Sequence, residues 1–126
     1  MDNIEFFSEF HYPELCEWFK ARKLPPPTFK QLPVNGFIIP DTAAGFVYLT
    51  DSEVAILDCF ISNPLSTEVN RDIALDLIVK HLESCACVHG AKILICNSQI
   101  KAIEDRALSH GFTSTGHYMS FSKGLM

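Results

Sequence analysis

The chain has 126 residues, of which 48% are hydrophobic and 20% charged, and its formal net charge is -5. This length fits a single domain, and this composition is ordinary for a folded globular protein. The acidic charge argues against a general nucleic-acid-binding surface, which needs an excess of Lys and Arg, and against a membrane-surface helix.

Neither a membrane span nor a signal peptide is predicted. No stretch approaches the roughly 20 apolar residues of a transmembrane helix. The N-terminal sequence MDNIEFFSEFHY carries acids rather than the basic region of a signal peptide. The cysteine count is odd, and Cys16, Cys59 and Cys96 lie within apolar runs. Buried, reduced thiols are therefore expected, which favours a cytoplasmic protein.

Residues 1–35 are predicted to contain one strand and one helix. IEFFSEF (4–10) is a short apolar run typical of a strand, and YPELCEWFKARKL (12–24) has apolar residues at helical spacing. PPPTFKQLP (25–33) cannot be helical, so it is expected to be an extended connector. A proline-rich docking peptide is the less favoured alternative.

Three closely spaced strands are predicted next, over GFIIP (36–40), GFVYLT (45–50) and VAILDCFIS (54–62). They are rich in β-branched and aromatic residues and are separated by turn residues. Their short connections predict an antiparallel meander. The third segment is almost continuously apolar, which indicates a strand that is covered on both faces.

The longest predicted helix spans roughly residues 67–88. Ser66 or Thr67 can cap its N-terminus, and Gly90 ends it. Its expected buried face is a stripe of apolar side chains at helical spacing. These are Ile73, Leu77, Ile78, Leu82 and Cys85.

The remaining predicted elements are a strand over AKILIC (91–96), a helix over SQIKAIEDRALSHG (98–111) and a final strand over FTSTGHYMSFS (112–122). The order is therefore β-α-βββ-α-β-α-β. The strand-helix-strand passage at 54–96 implies a right-handed crossover with parallel pairing. We expect one α/β domain over residues 1–126, with helices packed on a mixed, mostly antiparallel sheet.

This element order resembles that of the GNAT superfamily of acyl-CoA N-acyltransferases, over roughly residues 36–122. LDCFISNPLSTEVNRDIALDLIVKHLE is similar to the family's fourth strand, cofactor turn and long helix. GAKILICNSQIKAIEDRALSHGF is similar to its fifth strand, next helix and terminal Gly-Phe. The resemblance implies the acyl-CoA N-acyltransferase fold, with residues 1–35 as a lead-in. Compact chains with one strand after Gly-Phe are similar to forms found in phage and mobile elements.

In that family, a Q/R-x-x-G-x-G/A turn points backbone N–H groups at the CoA pyrophosphate from the start of the long helix. If Ala74 is the last position of the turn, Leu77 and Ile78 fall on the family's usual leucine pair. Val69 then takes the Arg/Gln position and Asp72 a glycine position, where a carboxylate repels pyrophosphate unless it points outward. The resemblance implies that the turn spans Val69 to Ala74 and that its cofactor-binding residues are Asn70, Arg71, Asp72, Ile73 and Ala74.

The family also splays its fourth and fifth strands, so that the pantetheine arm of CoA pairs with exposed strand backbone. The resemblance implies that Phe60, Ile61 and Ser62 supply these backbone groups. Asn97, at the end of the fifth strand, resembles the family's polar residue that meets the pantetheine arm. The alternative for Asn97 is a helix-entry residue that helps Ser98 to cap.

Catalytic residues are implied less directly. Family members often carry a carboxylate base on the fourth strand and a Tyr acid four residues before the glycine of Gly-Phe. Asp58 is the carboxylate within this strand, and apolar surroundings would suit it to act as a base, although a paired or edge-facing Asp is the alternative. The Tyr position is Ala107. Tyr118 on the final strand could replace that acid or simply pack its ring.

The sequence also contains residues typical of two other kinds of site. HLESCACVH contains the soft metal ligands His81, Cys85, Cys87 and His89. His81 and Cys85 share a helical face, but Cys87 points elsewhere on the helix, so thiols without zinc are favoured. Cys59 lacks the exposing turn and neighbouring His of a cysteine nucleophile.

The leading hypothesis is transfer of an acyl group, acetyl from acetyl-CoA, onto a primary amine of a small molecule or protein. A CoA thioester and an amine acceptor are then the partners, and no metal, nucleic acid or membrane is expected. The alternative is an inactive GNAT-fold binding module that acts through protein–protein contact. The features that support it are Asp72 and Ala107.

Overall fold

The computed structural model describes residues 3–98, 101–117 and 119–125. Its strands form one five-stranded sheet in the order β1-β2-β3-β4-β5. The strands are β1 (Glu5–Phe6), β2 (Asn35–Ile39), β3 (Ala43–Leu49), β4 (Val54–Ser62) and β5 (Ile93–Cys96). The helices are α1 (Tyr12–Ala21), α2 (Glu68–Val88) and α3 (Lys101–Ser109), with short 3-10 turns at Glu9–His11 and Phe29–Gln31.

The sheet is mixed, as the strand spacing predicts. Neighbouring strands from β1 to β4 pair antiparallel, and β5 pairs parallel to β4 after the crossover through α2. The α/β fold class and the mostly antiparallel sheet are therefore confirmed.

Two hydrophobic cores lie on opposite faces of the sheet. On one face, Phe37 and Ile39 of β2 pack with α2, whose Ile78 and Leu82 are fully buried. On the other face, Ile38 packs in the cluster that contains α1. This alternation follows from the pleat, because successive strand side chains point to opposite faces.

The face that α2 buries differs from the predicted stripe. Ile73 is 50% exposed, whereas its neighbour Ala74 is fully buried against the sheet. Ala86 is also buried, while Leu77 and Cys85 are only half-buried at the flank of the core. The small side chains at 74 and 86 face the sheet, so the helix is rotated from the orientation that its larger apolar residues suggest.

The two ends of the chain also differ from prediction. The strand expected over 4–10 is limited to Glu5–Phe6, because Ser8 starts a 3-10 turn in which the Ser8 N–H donates to Nδ1 of His11 at 2.9 Å. The strand expected over 112–122 is absent from the described residues of that range, 112–117 and 119–122. Met119 and Phe121 there are 75% and 84% exposed. A β-pattern alone does not form a strand unless a neighbouring strand satisfies its backbone.

All five cysteines lie within the described ranges, and none forms a disulfide. Among the helices of the described chain, none is both long enough and apolar enough to cross a membrane.

Candidate functional site

The sheet opens between β4 and β5. Their pairing runs only from Val54–Ile93 to Leu57–Cys96, where β5 ends. Strand β4 continues to Ser62, so within the part of the chain that the structure describes, the backbone of residues 58–62 has no strand partner on that side. An unpaired strand edge can bind an extended ligand through main-chain hydrogen bonds.

A β-bulge marks the point where the two strands separate. The β3–β4 register shifts so that Cys59 and Phe60 together oppose Gly45. Cys59 has a φ of 59°, a left-handed conformation that is uncommon for a residue with a side chain. Such strained backbone often marks a functional site, and here it redirects β4 at the opening.

Arg22, at the end of α1, reaches the unpaired edge of β4. Its Nε donates to the Ser62 carbonyl at 2.9 Å, and a second guanidinium nitrogen donates to Ser62 Oγ at 2.8 Å. The next residue, Asn63, donates its N–H to Thr42 on the β3 side. Because strand residues alternate in direction, the Ser62 carbonyl faces the open side, where Arg22 supplies a positive charge.

A cleft of about 590 Å³ lies at this opening. Asp58, Cys59 and Phe60 of β4 line it, and Phe19 and the proline connector form another wall. The Tyr12 hydroxyl fixes that connector by donating to the Pro27 carbonyl at 2.6 Å. The connector predicted from its prolines is thus also a wall of the candidate site.

The structure brings together the predicted base and the predicted pantetheine contact. Asp58 and Asn97 both line the cleft. Asp58 is exposed at the cleft rather than enclosed by apolar neighbours, and its Oδ1 accepts the N–H of Cys59 at 2.7 Å. The predicted acid, Tyr118, lies outside the described residues.

Cys59 is a thiol in this site rather than a reactive thiolate. Burial raises the pKa of Cys59, and the charge of Asp58 acts in the same direction. The Tyr48 hydroxyl, 3.3 Å from Sγ, acts to lower the pKa but does not offset these effects. The thiolate is the nucleophilic form, so the raised pKa of Cys59 favours a structural role over a catalytic one.

The N-terminus of α2 offers backbone donors one turn before the predicted positions. Thr67 caps the helix by accepting the Asn70 N–H on Oγ1 at 3.1 Å, and its carbonyl accepts the Arg71 N–H at 2.9 Å. Asp72, Ile73 and Ala74 lie deeper in the helix, where amides bond to preceding carbonyls. The amides that helix geometry leaves without a partner are those of the first turn, at Glu68 and Val69.

The Arg71 side chain turns back onto the loop that precedes the helix. Its guanidinium donates to the carbonyls of Pro64 and Ser66. Val69 and Ile73 are 66% and 50% exposed and bring no charge to this surface. A phosphate bound here would therefore depend on first-turn amides and on cations from elsewhere in the chain.

Asp72 points away from that surface, toward α3. Its Oδ1 accepts from Arg106 at 2.8 Å, and the same guanidinium donates to Asp76 Oδ1 at 2.6 Å. His110 adds a contact to Asp76 at 3.1 Å. The carboxylate that occupies the family's glycine position thus ties α2 to α3.

The Asp76 contacts predict how stability depends on pH. Partial burial acts to raise the pKa of Asp76, but hydrogen bonds and positive charge from His110 and Arg106 outweigh it and lower the pKa. A carboxyl whose pKa is depressed on folding adds stability above its unfolded pKa and loses it as pH falls through the folded pKa.

We therefore expect Asp76→Asn to be less stable than the natural chain near neutral pH, by about 0.5–1 kcal/mol because the pair is half exposed. The difference should shrink as the pH falls through the lowered pKa of Asp76 and disappear below it. Urea unfolding at a series of pH values measures it, with Asp51→Asn in the exposed turn after β3 as the control. A difference that persists at acid pH would contradict this assignment.

The alternative metal ligands do not converge. Among the residues that the structure describes, no three His, Cys, Asp or Glu side chains form a group able to hold a metal ion. His81 Nδ1 lies 3.0 Å from the Leu77 carbonyl, within its own helix. Cys85 Sγ lies 3.8 Å from His89 Nδ1, and Cys87 is exposed.

Solved acetyltransferases share this architecture at low sequence identity. AAC(6')-Iy in complex with the bisubstrate analogue CoA-S-monomethyl-acetylneamine matches with a TM-score of 0.70 and 14% identity over 98% of each chain. An acetyltransferase of Trypanosoma brucei matches with a TM-score of 0.71 and 10% identity, over 96% of this chain and 99% of that one. The aminoglycoside acetyltransferase meta-AAC0020 from an uncultured soil metagenomic sample, in complex with sisomicin, also matches. Its TM-score is 0.67 and its identity 15%, over 98% of this chain and 96% of that one.

No protein-family profile and no curated protein sequence matches the chain. At these identities the structural likeness establishes the fold. The chain has the GNAT N-acetyltransferase fold, as the sequence resemblance implied.

Proposed function

We propose that the protein is an acyl-CoA-dependent N-acyltransferase, which transfers an acyl group from a CoA thioester to a primary amine. The observation that carries this proposal is the edge of β4 beyond its last pair with β5, where residues 58–60 line a cleft of about 590 Å³. Acetyltransferases of the same fold have been solved with CoA or a CoA analogue.

The pantetheine arm is an extended chain with two amides, which suits it to pair with strand backbone. Phe60, Ile61 and Ser62 supply this backbone, and Asn97 lies across the cleft. The pyrophosphate is then bound by first-turn amides of α2 and by the dipole of that helix. Arg22, at Ser62, adds the cation that the turn itself does not provide.

The transfer needs few catalytic groups. The neutral amine nitrogen attacks the thioester carbonyl carbon, a C–N bond forms and the C–S bond breaks. Asp58, through water, accepts the proton that the amine loses. The departing thiolate has an ordinary pKa of about 8.5, so it can leave without a dedicated acid and take its proton from solvent. Ala107 in the family's Tyr position is therefore compatible with activity, because positioning supplies most of the rate.

The cleft favours a small, positively charged acceptor. Its volume lies within the range of about 300–1,000 Å³ that is typical of small-molecule sites. Asp58 is the one charged side chain among the described residues that line it. The other walls, Phe19 and the prolines 25–27, offer apolar surface for a compact carbon skeleton.

Release of free CoA thiol from acetyl-CoA, measured with a panel of small primary amines, tests this function. Asp58→Asn is expected to lower kcat about 100-fold or more, since it removes the base and keeps the size of the side chain. Asp105→Asn, whose carboxylate pairs with Lys101 on exposed α3, is the matched control. An unchanged kcat in Asp58→Asn would show that Asp58 is not the base.

A further inference from the structure

A small second cavity lies behind the cleft, between α2, α3 and β4. It has a volume of about 50 Å³. Leu75 and Val79 of α2, Ala107 of α3 and Phe112 line it. By the measure that about 10–15 Å³ accommodates one water-sized group, it has room for about three to five such groups.

This cavity is continuous with the walls of the cleft. Four residues line both spaces, and all four lie at or beyond the point where β4 and β5 separate. They are Leu57, Phe60, Cys96 and Ile103. A thioester held at the β4 bulge would thus have the cavity directly beside its acyl group.

The lining does not suit water. The polar ends of Arg106 and His110, which also border the cavity, are engaged by Asp72 and Asp76. The remaining lining side chains are apolar or a thiol. An apolar pocket of this kind therefore favours apolar guests over water.

Ala107 explains why the space exists. Ala107 is the smallest of the side chains that line the cavity, so a larger side chain at this position would take up part of the space. Ala107 therefore has two effects: it lacks the hydroxyl that the family's Tyr would bring, and its small side chain leaves the cavity larger.

We propose that this cavity binds the acyl chain of the donor, so that the preferred donor is a CoA thioester of an unbranched acyl group about three to five carbons long. This inference rests on the proposed function. The transfer step is unchanged: the acyl carbon exchanges its C–S bond for a C–N bond, and CoA leaves as the thiol.

Isothermal titration calorimetry with acetyl-CoA and butyryl-CoA tests the proposal. Each buried methylene strengthens binding about fourfold, so butyryl-CoA is expected to bind roughly fifteenfold more tightly than acetyl-CoA. In Ala107→Leu this ratio should fall to near one, and the melting temperature should rise because the void is filled. Ala102→Leu makes the same change at an exposed position of α3 and should keep the ratio.

The outcomes separate the two proposals. Equal affinity of the natural chain for both donors would overturn the acyl-chain inference and leave CoA binding intact. Absence of binding by either donor would overturn the proposed function itself. If Ala107→Leu does not fold, Val79→Ile adds one methylene to the same cavity from α2, and it should reduce the butyryl preference about fourfold.

Discussion

Replacing Gly45 by Ala is expected to lower the free energy of unfolding by about 1–3 kcal/mol and to weaken acyl-CoA binding at the same time. A Cβ at position 45 would lie 2.5 Å from the ring of Phe60 and 3.1 Å from the side chain of Ile78. Ile78 is fully buried, so the Phe60 ring is the group that must move. Phe60 lines the cleft, and its displacement would carry the ring into the space for the pantetheine arm.

Urea unfolding and titration with acetyl-CoA measure both effects. Gly124→Ala is the matched control, because a Cβ there meets no atom within 4 Å. A Gly45→Ala protein that equals Gly124→Ala in both stability and affinity would show that the bulge does not hold Phe60 against Gly45.

Replacing Arg22 by Ala is expected to weaken acetyl-CoA binding about tenfold, with little change in stability. CoA carries several phosphate charges, while the chain has a net charge of -5. The Arg22 guanidinium, which bonds to Ser62, is therefore expected to attract these phosphates, because the turn at the start of α2 supplies no cation of its own. Lost hydrogen bonds at an exposed side chain cost little folding energy.

Lys92→Ala is the matched control for charge. It removes one positive charge directly before β5, at the end of that strand that lies far from the opening. The affinity of the natural chain should also fall with added salt, and Arg22→Ala should reduce that dependence. Tighter binding by Arg22→Ala would instead mean that Arg22 competes with pantetheine for the edge of β4.

Periodicity predicts the sheet and the long helix well, because both depend on local patterns. Runs of β-branched and aromatic residues between turn residues indicate β2, β3 and β4, and the predicted start of α2 lies within one residue of its observed start. The prediction of a final strand over 112–122 was wrong for the described residues of that range, because forming a strand requires a neighbouring strand that no local pattern specifies. The rotation of α2 was missed for a similar reason: it follows from how closely Ala74 approaches the sheet.

The candidate site depends more on long-range contacts, so the sequence predicts less of it. From the sequence, Asp72 suggests a damaged phosphate turn. Its partner Arg106 lies 34 residues away, so local sequence does not show that the carboxylate is paired. A signal did exist: Asp72 and Asp76 are four residues apart, as are Arg106 and His110, so two helices carry complementary pairs at helical spacing. Arg22 had no such signal, because its contact with Ser62 spans 40 residues.

The central claim is that the opening between β4 and β5 binds a CoA thioester. Isothermal titration calorimetry of the natural chain with acetyl-CoA tests it most directly, because it requires neither an acceptor nor turnover. We expect one site per chain with a dissociation constant in the micromolar range or tighter, and binding that is lost or strongly weakened in Gly45→Ala. No binding by a folded natural chain, with acetyl-CoA or a longer acyl-CoA, would contradict the account and favour a fold that acts through protein contact alone.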